Sequence, residues 1–421
     1  MTYARGISLG MALAFITACS DTPSPLSPDR APQAALEESN ALLQRYVAIG
    51  TSVSMGWQSD GLTAASQYDS WPAQFTRMSG VAFTQPYVSG TGCRAPLAAP
   101  LASGLRISGE PAGAPAASLA CAPLQGGITL PTQNVAINGA TTFNALNSTP
   151  ESFADPFTPK LYGLVLPPGT TQLRAAMQQK PRVVSVELGA NEVLPARSGI
   201  AIPGTTITPF AAWAPLYDAL VDTVQQVAPR VVLVGLISDV ATFPGFRRGA
   251  EIYADAAMLL GAFHVQVAAD CDANQNLVFV PVRIPTAVAT GIGRRNAGLS
   301  PTVLSCADGG SGVQDFILTP AEAGVVNAAL GQMNAHIRAV ADRHKLAHFA
   351  LETLYGMPGL KPPFSSVQLM TSAQPYGSLI SLDGIHPSGA GHAILASAAA
   401  RALNARYNMR LPEASAFIAG R

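Results

Sequence analysis

The stretch "RYVAIGTSVSMGWQSDG", residues 45–61, contains an apolar run that ends in a cluster of small and polar residues. Residues 46–49 predict a buried β-strand, and Gly50 and Gly56 allow the chain to turn sharply on either side of Ser52. A serine after a strand is most often a turn or helix-capping residue. Ser52 would nevertheless lie at the carboxyl end of this strand, where open α/β sheets place their ligands.

The rest of the chain alternates short apolar runs with longer amphipathic segments, as in βα units around a parallel sheet. The near-continuous apolar runs at residues 183–188 and 231–237 are typical of strands that are covered on both faces. Residues 81–88 and 348–354 are weaker strand candidates. The pattern also predicts long helices over residues 210–227, after an N-cap at Thr319, and directly after the motif "DGIHPSG" at residues 383–389.

The composition describes a large globular protein. The chain has 421 residues, of which 48% are hydrophobic and 12% charged, so it can bury a large core. Lys and Arg together number 25, as do Asp and Glu, so the formal net charge is zero. Because nucleic-acid-binding proteins carry basic stripes and this sequence has none, we expect no nucleic-acid partner.

The N-terminus has the pattern of an export signal. A positive residue precedes an apolar run at residues 7–17, which is too short to span a bilayer. Residues 16–19, "ITAC", resemble a bacterial lipobox, which predicts a signal peptide over residues 1–18 and a lipid anchor on Cys19. By the same resemblance, Ser20 favours the outer membrane of the cell envelope. An ordinary secretory signal that is cut nearby is the alternative.

Four further cysteines fit an oxidising compartment: Cys93, Cys121, Cys271 and Cys306. None of them has the spacing of a metal site, and an even number in an exported protein indicates two disulfides. Pairing Cys93 with Cys121 and Cys271 with Cys306 closes the shortest loops, while other connectivities and free thiols remain alternatives.

The folded part is predicted to follow a tether. Residues 19–40 begin with a Pro/Ser-rich stretch that has nothing to pack, and residues 41–421 form the domain. Two turn-rich segments, near residues 93–169 and 245–318, interrupt the βα pattern. We interpret them as insertions that are each held by one disulfide.

Asp383 and His386 are candidates for an acid–base pair. They stand three residues apart just before the last predicted helix, a spacing that lets the carboxylate orient the imidazole. The other ring nitrogen could then face Ser52 at about 3 Å. His392, six residues further on, is the competing base, although we expect it on the helix surface.

Two further motifs offer hydrogen-bond donors. In "SVELGANEV", residues 185–193, a buried strand ends next to Asn191, whose amide can donate without titrating. In "PYVSGTG", residues 86–92, Gly90 could offer a bare backbone N–H, with Gly92 as the alternative. Each is an ordinary turn residue when considered alone.

Together these motifs resemble the SGNH hydrolase family, also called GDSL hydrolases. The marked Ser, Gly, Asn and His residues of that family fall on Ser52, Gly90, Asn191 and His386, with Asp383 as the orienting carboxylate. The resemblance extends over residues 45–412. It implies a flavodoxin-like three-layer α/β/α sandwich with a parallel sheet of about five strands.

The resemblance also implies a serine carboxylic ester hydrolase that needs no cofactor or metal. Ser52 would attack the ester carbonyl, His386 would take the proton, and the Ser52 and Gly90 N–H groups would bind the oxyanion together with Asn191. Low charge and high Ala, Leu and Pro content favour an apolar acyl chain, as in an esterase or lipase. A carbohydrate or peptidoglycan O-acetylesterase and a non-catalytic anchored lipoprotein are the alternatives.

The sequence departs from the family motifs at two positions. Thr51 stands where the family has an aspartate before the nucleophile, and Glu192 stands where it has an aspartate after the asparagine. Neither change affects the proton relay. Thr51, however, removes a carboxylate beside the nucleophile, which leaves the hydrogen bonding of this loop undefined.

Overall fold

The fold is that of a computed structural model that describes residues 30–115 and 120–413. The predicted signal peptide, Cys19 and the first part of the tether lie outside the described residues. Residues 30–40, which we assigned to the tether, belong to a helix, so regular structure begins earlier than predicted. The reason is local, because "AALEESNALL" at residues 34–43 consists mainly of good helix formers.

Helices make up most of the regular structure. In chain order the α-helices are α1 Arg30–Leu43, α2 Ser52–Met55, α3 Ala64–Tyr68, α4 Trp71–Met78, α5 Thr142–Asn147, α6 Thr158–Gly163, α7 Gln172–Gln178, α8 Phe210–Val227, α9 Gly249–Ala254, α10 Ala256–Phe263, α11 Val280–Asn296, α12 Pro320–Arg343, α13 Glu352–Tyr355, α14 Ser366–Thr371 and α15 Gly389–Tyr407. Among these helices of the described ranges, none combines the length and the apolar character that a bilayer span requires.

Strands are short and form three sheets. In chain order they are β1 Tyr46–Gly50, β2 Val183–Glu187, β3 Arg230–Gly235, β4 Phe246–Arg248, β5 Val265–Val267, β6 Leu277–Phe279, β7 Thr302–Leu304, β8 Ile317–Leu318 and β9 Ala347–Ala350. The central sheet is parallel, with strand order β1-β2-β3-β9. Its first three strands are almost entirely buried, as their continuous apolar runs predicted.

A fifth segment extends the sheet beyond β1. Residues 133–137 are not a regular strand, but they run parallel to β1, with hydrogen bonds from Ala48 N to Gln133 O, from Val135 N to Ala48 O and from Ile137 N to Gly50 O. With this segment counted second along the chain, the spatial order becomes 2-1-3-4-5. That is the flavodoxin-like order, whose switch point lies between the first and third strands.

The prediction of a strand at residues 81–88 was wrong. Only Val88 of this segment makes an isolated bridge, to Leu124, and Pro86 has no N–H to give to a ladder. The polar side chains of this segment bond elsewhere: the Thr84 hydroxyl donates to Gln133 Oε1, and Gln85 Oε1 accepts from Asn134 Nδ2. The segment therefore supports residues 133–137 through these hydrogen bonds and does not take their place beside β1.

Helices flank the sheet in two groups. In one group α4 packs on α15, which also contacts β3 and β9; the other group contains α5, α7, α8 and α12. The predicted N-cap of α12 is confirmed, because Thr319 and Glu322 form a reciprocal capping box. The observed fold is the three-layer α/β arrangement that the sequence predicted.

Both predicted disulfides are present, Cys93–Cys121 and Cys271–Cys306. The second predicted insertion contains regular structure of its own: β4, β6 and β8 form an antiparallel sheet, β5 and β7 a parallel pair, and α9, α10 and α11 surround them. The first contains mainly turns and short helices, and it also includes residues 133–137 of the central sheet.

Candidate active site

The turn after β1 places Ser52 at the first position of α2. Gly50 is required there, because a Cβ on it would lie 2.6 Å from Ser54 Oγ and 3.0 Å from Glu187 Oε2. Gly56 ends the helix with a φ of +88°, and a Cβ there would lie 2.5 Å from Ser66 O. As the sequence indicated, the two glycines make the sharp turn possible.

Ser52, His386 and Asp383 form a continuous hydrogen-bonded chain. His386 Nε2 lies 2.9 Å from Ser52 Oγ, and His386 Nδ1 lies 2.8 Å from Asp383 Oδ2. All three residues are buried. These distances fit a serine whose proton passes to a histidine that a carboxylate orients.

Asp383 is held as an anion by several donors. Its Oδ1 accepts hydrogen bonds from the backbone N–H groups of His386 and Ile385, at 2.8 and 3.0 Å, and Oδ2 accepts one from Asp60 N–H at 2.8 Å. Burial raises the pKa of Asp383, but the neighbouring His386 charge and these hydrogen bonds outweigh burial and lower it to about 2. The carboxylate therefore stays ionised beside the imidazole.

The competing base, His392, is separate from this chain. We expected it on the surface of the last helix, but it is fully buried in α15, and neither ring nitrogen has a hydrogen-bond partner among the described residues. Burial, followed by the nearby His386 charge, lowers the pKa of His392 to about 3. His392 is thus a neutral core residue, because the helix turns it towards the sheet.

Glu187 resolves the departure at Thr51. This carboxylate is fully buried at the end of β2 and accepts hydrogen bonds from Thr51 N–H at 2.9 Å, Thr51 Oγ1 at 2.7 Å and Ser54 N–H at 3.1 Å. Burial raises its pKa, and the hydrogen bonds from Thr51 and Ser54 oppose that rise. The carboxylate that the family motif places before the nucleophile is here supplied from the neighbouring strand.

Glu187 was missed by the sequence analysis. Its signal was a charged residue in the otherwise apolar run "VVSVELG", residues 183–189. A buried charge must be paired or hydrogen-bonded, so its position alone indicated a structural or functional partner.

Asn191 and Glu192 follow β2 in a short 3-10 turn. Asn191 Nδ2 donates to Ala140 O at 2.9 Å, which fixes the amide while one N–H remains for a ligand. Glu192 is buried, and its Oε1 accepts from Thr142 N–H at 2.6 Å, at the start of α5. Burial raises the pKa of Glu192, while the hydrogen bonds from Thr142 oppose that rise. The second departure therefore anchors a helix and does not contact the reacting groups.

The structure does not bring Gly90 to this site. Gly90 is exposed and borders neither cavity next to the Ser52–His386–Asp383 chain, and Gly92 is packed against Leu62 O. Gly139 instead follows residues 133–137, the segment that occupies the second strand position, and it lines a cavity together with Asn191 and His386. With a φ of +80°, Gly139 makes a turn that other residues rarely adopt. The Gly90 assignment failed with the strand assignment on which it rested.

Asp60 is a second residue that the sequence analysis overlooked. It lies in the tight turn at residues 58–61, which is closed by reciprocal backbone hydrogen bonds between Gln58 and Gly61. Besides donating its N–H to Asp383, Asp60 pairs with Arg94 at 2.6 Å and with Arg106 at 2.8 Å. The turn thereby connects the orienting carboxylate to the segment held by the first disulfide.

Two cavities meet at His386. The first, of about 50 Å³, borders Ser52, Asn191 and His386 and is otherwise lined almost only by apolar side chains, among them residues of the segment after β3, of the second insertion and of α12. We call it the apolar cavity. The second, of about 430 Å³, borders Gly139, Asn191 and His386 and also contains charged side chains. We call it the polar cavity.

This chain is similar to one known protein family and to several solved structures. A family model described as GDSL-like lipase/acylhydrolase matches residues 46–399. Among solved structures, a mutant of Axe2, an acetyl-xylooligosaccharide esterase from Geobacillus, is 12% identical with a TM-score of 0.35, covering 86% of this chain and 92% of that one. The acetylxylan esterase Axe2 from Geobacillus stearothermophilus is 11% identical with a TM-score of 0.35, and the match covers 86% of this chain and 92% of that one. A search of curated proteins returns no match.

Proposed function

Since this chain belongs to the GDSL-like lipase/acylhydrolase family, and is a carboxylic ester hydrolase, we propose that it cleaves apolar acyl esters through an acyl-enzyme on Ser52. The observation that carries this proposal is the hydrogen-bonded chain from Ser52 through His386 to Asp383, with distances of 2.9 and 2.8 Å. It lies where an apolar and a polar cavity meet, so the two halves of an ester have separate places to bind.

In the first step Ser52 Oγ attacks the ester carbonyl and His386 Nε2 takes its proton. Asp383 stabilises the imidazolium through Nδ1, and His386 then gives the proton to the departing alkoxide. A water molecule activated by His386 attacks the acyl-enzyme in the second step and releases the acid.

Three donors are available for the tetrahedral oxyanion. Ser52 is the first residue of α2, so its N–H has no acceptor within the helix. Gly139 N–H and the remaining Asn191 amide N–H complete the set, and both residues border the polar cavity next to His386. These donors follow β1, β2 and residues 133–137, and this parallel sheet fixes their positions before the substrate arrives.

The acyl group is assigned to the apolar cavity. Its walls include Leu236 and Ile237 after β3, Phe246 of β4, and Val326 and Leu330 of α12. Burial of each methylene in such a cavity contributes about 0.8 kcal/mol, so binding is expected to strengthen with chain length until the cavity is full. This lining favours an esterase or lipase activity over deacetylation of a polar sugar chain.

A fluorophosphonate probe tests the nucleophile. The wild-type protein should be labelled on Ser52, identified by mass spectrometry of the peptide, and should hydrolyse p-nitrophenyl butyrate. Ser52→Ala should abolish both, whereas the matched variant Ser89→Ala, in a turn that borders neither cavity, should behave as wild type. Full activity of Ser52→Ala would exclude Ser52, and a wild-type protein without label or turnover would favour a non-catalytic binding role.

A pair of histidine variants tests the base. His386→Ala should lower kcat by about 1,000-fold or more, because it removes the proton acceptor. His392→Ala should retain most of the activity at a cost in stability, since His392 fills the core without contacting Ser52. Equal activities for the two variants would contradict the assignment.

We further propose that the mature protein is attached to the outer membrane through a lipid on Cys19. The support is the "ITAC" motif after an apolar run, together with the two disulfides, which fit an oxidising compartment. Metabolic labelling with a palmitate analogue in a bacterial host should tag the wild-type chain but not Cys19→Ser. Release of the unlabelled wild-type chain into the medium would support ordinary secretion instead.

A further inference from the structure

The polar cavity contains two guanidinium groups next to the catalytic residues. Arg94 and Arg197 both border it, together with Asp383 and His386. Arg94 pairs with Asp60 and so supports the turn beside Asp383, but simple hydrolysis of a neutral ester gives Arg197 no role.

Of these two arginines, Arg197 is the one that forms no ion pair among the described residues. It lies in the 3-10 turn Leu194–Ser198, six residues after Asn191, and borders both cavities. Its one hydrogen bond among the described residues is a long contact of 3.4 Å from Nη1 to Leu194 O, and no carboxylate there lies within ion-pair distance of it. Most of its five N–H donors are therefore free for a ligand.

Arg94 shares its carboxylate with a second cation. Asp60 Oδ2 lies 2.6 Å from Arg94 Nη2 and 2.8 Å from Arg106 Nη2, so one carboxylate faces two guanidinium groups. Arg106 is buried, and its other donors are taken up by the backbone oxygens of residues 60, 95 and 112. Arg94 Nε, by contrast, is buried without a partner among the described residues.

The backbone that holds this cluster is strained. Ser59, Asp60 and Arg94 have φ values of +53°, +58° and +48°, which non-glycine residues rarely adopt. Tight hairpin turns with positive φ at both central positions normally contain glycine or asparagine there. Strain of this kind persists where the surrounding structure enforces it, and it is concentrated at ligand sites.

The charges around the polar cavity do not cancel. Three guanidinium groups, of Arg94, Arg106 and Arg197, are present with two carboxylates, and one of these, Asp383, is committed to His386. Apolar side chains that include Phe279 and Phe316 line the rest of this cavity, so the charged groups face a partly apolar wall. When His386 becomes protonated during the reaction, the excess increases further.

We propose that the polar cavity recognises an anionic group, a phosphate or carboxylate, on the alcohol half of the ester. Arg197 is the main specificity-determining residue, and Arg94 assists it. The assignment rests on the proposed esterase function and deepens it: the substrate is an apolar acyl chain joined to an alcohol that carries a negative charge. Planar guanidinium groups pair with phosphate and carboxylate oxygens through two parallel hydrogen bonds, which adds directional specificity.

The test compares two substrates that share one acyl chain: 1-octanoylglycerol 3-phosphate, which is anionic, and 1-octanoylglycerol, which is neutral. The wild-type protein should prefer the phosphate ester in kcat/KM. Arg197→Gln should lower the ratio of the two kcat/KM values by about 10- to 100-fold, the effect expected for a charge-assisted hydrogen bond. Arg197→Lys, which keeps the charge but cannot make the two parallel hydrogen bonds, should restore only part of this ratio.

Arg174→Gln is the matched control, because Arg174 is exposed on α7 and borders neither cavity; its ratio should equal that of the wild type. A structural defect in Arg197→Gln would lower both kcat/KM values equally and leave the ratio unchanged, and that result would overturn the inference. A wild-type protein that prefers the neutral ester would also overturn it. Failure of the wild type on every ester would instead contradict the proposed function itself.

Discussion

Replacing Thr51 by aspartate tests whether Glu187 is the carboxylate that holds the nucleophile loop. Thr51 Oγ1 lies 2.7 Å from Glu187 Oε1, so Thr51→Asp would place a second carboxylate against a fully buried one. Two carboxylates at this distance cannot both be ionised, and one of them must keep a proton. Thr51→Asp therefore leaves a buried charge without a compensating partner at pH 8, which typically costs about 3 to 5 kcal/mol of unfolding free energy.

The compensating change is Glu187→Gln. A glutamine oxygen can still accept from the backbone N–H groups of Thr51 and Ser54, at a cost of about 1 kcal/mol for the lost charge. In the double variant the glutamine amide can donate to the new aspartate. The double variant should therefore be about 3 kcal/mol more stable than the sum of the single changes predicts.

Urea unfolding of the wild type and the three variants, followed by circular dichroism, gives the four free energies. The second carboxylate raises the pKa of the pair in the folded state above its value in the unfolded state. The loss of unfolding free energy in Thr51→Asp is therefore complete above the folded pKa, and it becomes smaller as the pH falls towards the unfolded pKa. Lowering the pH from 8 to 5 should therefore recover more unfolding free energy in Thr51→Asp than in the wild type, where burial already raises the pKa of Glu187. A Thr51→Asp protein that matches the wild type at pH 8, or four free energies that simply add, would refute the reasoning.

Other perturbations probe the remaining parts of the site. Asn191→Ala should lower kcat by about 100- to 1,000-fold while costing only about 1 kcal/mol of stability for its lost hydrogen bond to Ala140 O. Gly90→Ala should keep its kcat within about twofold of the wild type, and a large loss of activity in this variant would place Gly90 at the site after all. Because the pKa of Asp383 is lowered from 3.8 to about 2, its contribution to stability is complete above pH 4 and is lost as the pH falls through 2. Urea unfolding should therefore show the stability advantage of the wild type over Asp383→Asn shrinking by about 1 kcal/mol between pH 5 and pH 3. Val326→Phe should narrow the apolar cavity and shift the preferred acyl chain, measured with p-nitrophenyl esters, towards shorter lengths; an unchanged preference would place the chain elsewhere.

The elements that could be predicted are those whose signal is local. Strands β1, β2 and β3 are continuous apolar runs, and the helix after Thr319 carries its own capping residues. Asp383 and His386 were found because three residues of separation suffice to bring carboxylate and imidazole together. Ser52 followed from its position after a strand.

The errors concern pairings between distant segments. Residues 133–137 are short and lie in a Pro- and Gly-rich stretch, so only their contact with β1 identifies them as the second strand position. Residues 81–88 have the more strand-like composition, but they do not form the second strand. Pro86 lacks an N–H group for a ladder, and the polar side chains of this segment bond elsewhere. Because residues 81–88 were predicted as the second strand, the glycine after them, Gly90, was assigned to the oxyanion site in place of Gly139. His392 was placed on the wrong face because α15 is apolar almost all round, which leaves no polar side to orient it.

The Cys93–Cys121 disulfide has a consequence for the biosynthesis of this protein. Cys93 N–H donates to Leu62 O and Leu62 N–H to Arg94 O, which connects the disulfide to the turn whose Asp60 donates to Asp383. Oxidation of two thiols is thus a step in assembling the catalytic centre as well as in closing a loop. A newly made chain that still carries free thiols lacks this support. We therefore expect its hydrolytic activity to reach the final level only after the disulfide has formed in an oxidising compartment.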